Sequence, residues 1–158
     1  MILSAKKWVT YAIFLVITLG LGGLSTLLTR NAMVSYESVK KSPLTPPSYV
    51  FPFVWTVLFI LMAIGASMVF LSGDPGRGKA LLIFFAQLIV NFFWSIFFFN
   101  FQAYLFSFFW LLLLWVLIFA MIVLFYRISK TAALLQIPYL LWVTFAGYLN
   151  FMVWLLNR

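Results

Sequence analysis

The chain has 158 residues, 66% apolar and 8% charged, with ten basic residues against two acidic ones and a formal net charge of +8; a water-soluble domain of this length has no place for so much apolar surface, which marks an integral membrane protein. The sequence contains neither cysteine nor histidine, which excludes disulfides, thiolate nucleophiles, imidazole bases, sulfur or imidazole metal sites and the usual haem ligands. Glu37 and Asp74, the only acids, stand far apart in predicted loops, so a carboxylate pair, a two-metal site and a proton relay within the membrane all lack parts.

From Trp8 to Thr29 no charge occurs, and about 22 residues at 1.5 Å each cross roughly 30 Å of hydrocarbon. Lys6 and Lys7 resemble the basic start of a signal peptide, but the run is too long for a signal core and shows no clear small-residue cleavage site; a retained first span over 8–29 is expected. Gly20, Gly22, Gly23, Ser25 and Thr26 make its second half small-faced, which suits close helix packing. Residues 30–52 form the first loop. Pro43, Pro46, Pro47 and Pro52 cannot all lie inside one helix, so this long connection reads as a stiff, ordered lid. The second span, 53–72, carries Trp55 near its start, where an indole is ordinarily an interfacial anchor.

In SGDPGRGKA, Ser72 to Ala80, the residues Gly73, Gly78 and Lys79 have the spacing of a phosphate-binding loop. Ala80 stands where the metal-binding hydroxyl belongs and no strand precedes it, so Asp74-Pro75-Gly76 reads as a tight turn instead. Lys79 to Arg127 is charge-free with a polar break at Asn100 and Gln102, giving a third span over 80–99 and a fourth over 103–126. The fourth is apolar almost all round and should face lipid broadly. In the third, Gln87, Asn91, Trp94 and Ser95 fall at i, i+4, i+7 and i+8 and share a face. A buried amide without a partner costs roughly 2 kcal/mol or more, so this face must meet other helices, water or a ligand. The fifth span, 131–156, should bend at Pro138, with Trp142, Ala146, Leu149 and Asn150 along one side.

Five spans put the termini on opposite sides. Lys6, Lys7, Arg77, Lys79, Arg127 and Lys130 then outnumber Arg30, Lys40, Lys41 and Arg158, which favours a cytoplasmic N terminus and a lid facing out. Basic residues placed singly or in pairs beside apolar runs fit contact with membrane lipids, not nucleic acid. The expected fold is an all-α integral membrane protein: a single five-helix transmembrane domain spanning 1–158.

The segments LTPPSYVFPFVW, QLIVNFFWSIFFF and PYLLWVTFAGYLN, in this order and over nearly the whole chain, resemble the tryptophan-rich sensory protein and translocator protein family, also called peripheral-type benzodiazepine receptors. The resemblance implies a bundle in a bacterial cell membrane, commonly a homodimer, with a ligand pocket beneath the first loop. It implies a porphyrin of the protoporphyrin IX type, or a drug-like hydrophobic molecule, as ligand, and no covalently bound cofactor or metal. Carried over by position, it places Thr26, Tyr36, Trp55, Asn91, Trp142 and Ala146 at the ligand; Gln87 and Trp94 join them as polar-face neighbours of Asn91. The third span shows no small-residue seam for a dimer, only Ala80 and Ala86 amid bulky neighbours.

Three departures from the family pattern stand out. Leu44 replaces the lid tryptophan of the usual KPSWTPP pattern, no acid occurs near Phe109 and Trp110, and Tyr148 is followed only by the distant Arg158, so the sterol motif fails. The leading expectation is tetrapyrrole binding with a sensory or porphyrin-handling role. A light-driven porphyrin breakdown, with Trp55 and Trp142 beside the pigment, is the enzymatic alternative. A transporter of porphyrin or another small hydrophobic ligand is the third reading, although no charge in a span is placed to couple an ion gradient. Helix glue alone would be the purely structural role of Gln87, Asn91 and Asn150.

Overall fold

The computed structural model describes residues 2–158, with side-chain surroundings from Ser4 onward. Six α-helices follow one another: α1 Ile2–Tyr36, α2 Val50–Leu71, α3 Arg77–Ser95, α4 Tyr104–Tyr126, α5 Lys130–Leu134 and α6 Ile137–Asn157. A π-helical turn, Ile96–Asn100, extends α3, and α5 and α6 together form the last crossing. There are five membrane spans, Ser4–Tyr36, Val50–Leu71, Arg77–Asn100, Tyr104–Tyr126 and Lys130–Asn157, and no strand occurs among the described residues.

The first span runs to Tyr36, well past the expected end at Thr29, and shortens the lid to residues 37–49. Arg30 and Asn31 do not stop a helix, since arginine is a good helix former and the first proline comes only at Pro43. The helix end is closed by a turn in which the N–H groups of Ser38 and Val39 donate to the carbonyls of Ser35 at 3.3 Å and Tyr36 at 3.1 Å, and just beyond it the Lys41 ammonium donates to the carbonyls of Glu37 at 3.1 Å and Val39 at 3.0 Å, a favourable place for a cation near a helix C terminus. Of the three glycines in α1, only Gly22 meets a neighbour: a Cβ there would lie 2.6 Å from the Phe59 ring, whereas Gly20 and Gly23 face open space. α1 packs along α2, and at the Gly22–Phe59 crossing the contact is reinforced by Thr18 Oγ1 donating to the Phe59 carbonyl at 2.9 Å.

Pro138 does not bend the fifth span from within. The chain breaks just before it, at Leu135 and Gln136, and Pro138 sits in the first turn of α6, where its missing N–H leaves no bond unmade. Gln136, fully buried, plugs the break: its Nε2 donates to the carbonyls of Leu61 at 3.1 Å and Ala132 at 3.3 Å. Gly65 on α2 makes room for that amide, because a Cβ there would overlap Gln136 Nε2.

α4 buries Ser107, Leu111, Leu114, Ile118, Met121 and Phe125, a stripe at spacings of three and four, and leaves its other faces to lipid as its all-round apolarity predicts. Two indoles tie it to its neighbours, Trp110 Nε1 to the Val90 carbonyl at 2.7 Å and Trp115 Nε1 to Thr144 Oγ1 at 2.8 Å. Without a hydrophobic driving force between helices in lipid, such bonds and close packing hold the bundle. The third span ends in the π turn, where Phe101 N donates to the Ile96 carbonyl at 3.2 Å and Gln102 takes φ 51°, reversing the chain into α4. Asn100 Nδ2 donates to the Leu28 carbonyl at 3.1 Å and fixes this end against α1.

Candidate functional site: an aromatic cavity beneath the lid

A cavity of about 630 Å³ opens between α1, α2, α3 and α6 under the lid. Its walls are aromatic because the helices present their rings at helical spacing: Trp55 and Phe59 from α2, Trp94 from α3, Phe98 and Phe99 beyond it, and Tyr36 from the last turn of α1. These rings brace one another. Trp94 stacks on Phe98 at 5.1 Å, and Tyr36 stands edge-on to Phe98 at 5.6 Å and Phe99 at 5.2 Å, geometries that add about 0.5–1.5 kcal/mol per pair beyond area burial.

The lid is pinned from the far end of the chain. Asn157 on α6 clasps the Lys40 backbone, accepting from its N–H at 3.1 Å and donating to its carbonyl at 2.8 Å; Ser42 Oγ and Tyr148 Oη share a hydrogen bond of 2.8 Å. Lys41 lies 4.4 Å above the Tyr36 ring centroid and, with Glu37, joins the cavity lining. Partial burial pulls the Lys41 ammonium below the ordinary lysine range, with Glu37 opposing the shift. Leu44, in place of the expected aromatic, points away, 67% exposed; the aromatic roof comes from Tyr36, Phe98 and Phe99.

Of the residues singled out in the sequence, Thr26, Tyr36, Trp55, Asn91, Trp94 and Ala146 line this cavity. Gln87 and Trp142 do not. Gln87, one turn before Asn91 on the same face, is 0% exposed and gives its carbonyl to Tyr139 Oη at 2.7 Å; it supports the wall from behind. Trp142 is separated from the cavity by Phe51, whose ring meets it edge-on at 5.8 Å and itself lines the cavity. The other side of Trp142 borders a shallow outer groove between α2 and α6, formed with Phe53, Val57 and Leu141, and its indole N–H is buried without a partner.

Sequence reasoning missed Tyr139, the centre of the polar network behind the wall, which accepts from Asn91 Nδ2 at 2.6 Å and meets Trp55 edge-on at 6.2 Å. Its signal was the need of two intramembrane amides, Gln87 and Asn91, for a partner that only a polar group on another span could supply. Asn150 is satisfied in the same manner: its Oδ1 accepts from Trp94 Nε1 at 3.0 Å and its Nδ2 donates to the Tyr104 carbonyl at 2.8 Å. Among the described residues no group of His, Cys, Asp or Glu could hold a metal ion. The cavity therefore offers shape, flat apolar walls and a few oriented polar atoms, the equipment for binding an aromatic molecule.

Comparison with known proteins gives a consistent result. The sequence model of the TspO/MBR family matches residues 12–155. Among curated proteins, the chain is 38% identical over 145 residues to the tryptophan-rich protein TspO of Chlorobaculum tepidum, covering 90% of this chain and 91% of that one. It is 40% identical over 124 residues to protein CrtK of Rhodobacter capsulatus, covering 77% and 78%. The similarity extends to animals, with 33% identity over 136 residues to translocator protein 2 of Canis lupus familiaris, covering 83% and 79%.

Proposed function

The chain belongs to the TspO/MBR family of multi-pass membrane proteins, and from that premise we propose that it binds a tetrapyrrole of the protoporphyrin IX type in the cavity beneath the lid, in a sensory or porphyrin-handling role. The observation that carries this reading is the cavity itself: about 630 Å³, walled by Trp55, Trp94, Phe98 and Phe99, with Lys41 as the basic residue and Glu37 as the acid of its lining, both at the lid. Flat aromatic walls suit a flat conjugated ring, and the ammonium at the lid suits the carboxylate edge of a porphyrin. The lack of histidine and cysteine denies an iron porphyrin its usual axial ligands.

Titrating metal-free and iron protoporphyrin into the detergent-solubilised protein, read by quenching of tryptophan fluorescence, tests the proposal. Saturable binding of both forms, with affinities within about threefold, is expected. Absence of saturable binding, or a strong preference for the iron form, would overturn it. A second reading, light-driven breakdown of the bound pigment, draws on the indoles of Trp55 and Trp94 in one lining, where the pigment would supply the photochemistry and the protein its position. Running the titration in darkness and under illumination separates the two: a porphyrin spectrum that decays only in light, and only with protein present, favours turnover.

A further inference from the structure

The two charged residues of the cavity lining, Glu37 and Lys41, both belong to the lid. A ligand carboxylate arriving there is attracted by one and repelled by the other, and because Coulomb energy falls with separation, the balance depends on where the ammonium is held. That ammonium has a proton to offer. Two of its three go to the carbonyls of Glu37 at 3.1 Å and Val39 at 3.0 Å, which leaves one with no hydrogen-bond acceptor in the protein.

Lys41 is held in place from α6. Asn157 fixes the peptide unit that leads into Lys41: its Nδ2 donates to the Lys40 carbonyl at 2.8 Å while its Oδ1 accepts from the Lys40 N–H at 3.1 Å. The second Nδ2 proton goes to the Val153 carbonyl at 2.7 Å, one turn back on the same helix, so the amide is oriented by its own helix and has no proton to spare. On the other side of Lys41, Ser42 is 4% exposed. Its Oγ pairs with Tyr148 Oη at 2.8 Å and accepts from the Leu44 N–H at 3.2 Å, and the following Pro43 restricts its backbone. Among the described residues, the bonds to Asn157 and Tyr148 are the only hydrogen bonds that join the lid, residues 37–49, to a helix other than the two it connects. Lys41 is therefore anchored on both sides by residues that do not line the cavity.

We propose that Asn157, supported by Tyr148, is a positioning residue that holds the Lys41 ammonium toward a ligand carboxylate and so sets a preference for acidic over neutral ligands of the same shape. The inference rests on the cavity being the ligand site proposed above and adds which group of the ligand the lid reads and what keeps the reader in place. The probes are protoporphyrin IX and its dimethyl ester, which share one ring and differ in whether the acid groups are charged. Both are titrated into the full-length protein in detergent at neutral pH by quenching of tryptophan fluorescence. The two probes partition differently into detergent, but that difference is common to every variant, so the reading is the change in the acid-to-ester affinity ratio.

Lys41→Gln removes the charge and should lower the ratio about fivefold, the upper range for an ion pair near a surface. Asn157→Ala leaves the lysine in the chain, yet should bring the ratio within about twofold of the Lys41→Gln value. Tyr148→Phe keeps the ring and should shift the ratio in the same direction by less; it takes the place of Asn157→Ala if a thermal melt shows that variant unfolded. A residue that only kept the lid shut would weaken acid and ester alike and leave the ratio where it was. An unchanged ratio in Lys41→Gln, or in the folded Asn157→Ala protein, would overturn the inference. If wild type binds both porphyrins in that case, the cavity stands as the ligand site and only the role of the lid anchors falls; if it binds neither, both proposals fall.

Discussion

Ala146→Phe is expected to lower porphyrin affinity about a hundredfold, roughly 2.7 kcal/mol, while leaving a folded protein. Ala146 lies on the inner face of α6, 8% exposed, beside Leu149 and Asn150 in the cavity lining. A phenyl ring in its place would occupy the space into which the ligand plane must fit. The cavity gives that ring room which a close-packed core would not, so the overpacking penalty of about 1–3 kcal/mol seen in filled interiors should be largely avoided. Fluorescence titration measures the affinity and a thermal melt in the same detergent measures stability. Unchanged affinity in a protein that melts normally would mean that the ligand lies elsewhere.

Trp55→Ala should weaken binding by about thirtyfold, on the order of 2 kcal/mol, as expected for an aromatic anchor in a water-excluded site. Its ring forms cavity wall while packing on Phe59 at 5.7 Å and on Tyr139, so truncation removes both the contact surface and its bracing. The informative comparison is Trp142→Ala. With Phe51 standing between Trp142 and the cavity, that change should alter affinity by less than about threefold, as should Trp8→Ala at the exposed start of α1, where the indole is 72% accessible. A larger loss at position 142 than at position 55 would contradict the arrangement described here.

Charge placement made the spans legible: long runs without a charged residue have one stable environment, and five of them fix an all-helical bundle. The end of α1 was not legible, because Arg30 reads as a boundary by charge yet lies within a helix that continues to Tyr36 and is closed by a turn through Ser38 and Val39. A proline within an apolar run ordinarily bends a helix, but here the break falls just before Pro138, at Leu135 and Gln136, where the Gln136 side chain takes up the Ala132 carbonyl.

The polar face of α3 was visible in Gln87, Asn91, Trp94 and Ser95, since amides in an apolar run must find partners. How that face divides was not visible. Asn91 and Trp94 line the cavity while Gln87 is sealed behind them, and the division depends on Tyr139, 48 residues from Asn91 and 52 from Gln87. The two tryptophans with equal claims, Trp55 and Trp142, are distinguished only by the interposed ring of Phe51, a contact between helices that spacing along one chain does not encode.

The most direct test is an experimental structure of the protein with bound protoporphyrin. The ring is expected beneath the lid, in contact with Trp55, Trp94 and Ala146, with a carboxylate turned toward Lys41. Density for the porphyrin in the outer groove between Phe53, Leu141 and Trp142, with the cavity under the lid free of it, would contradict the assignment.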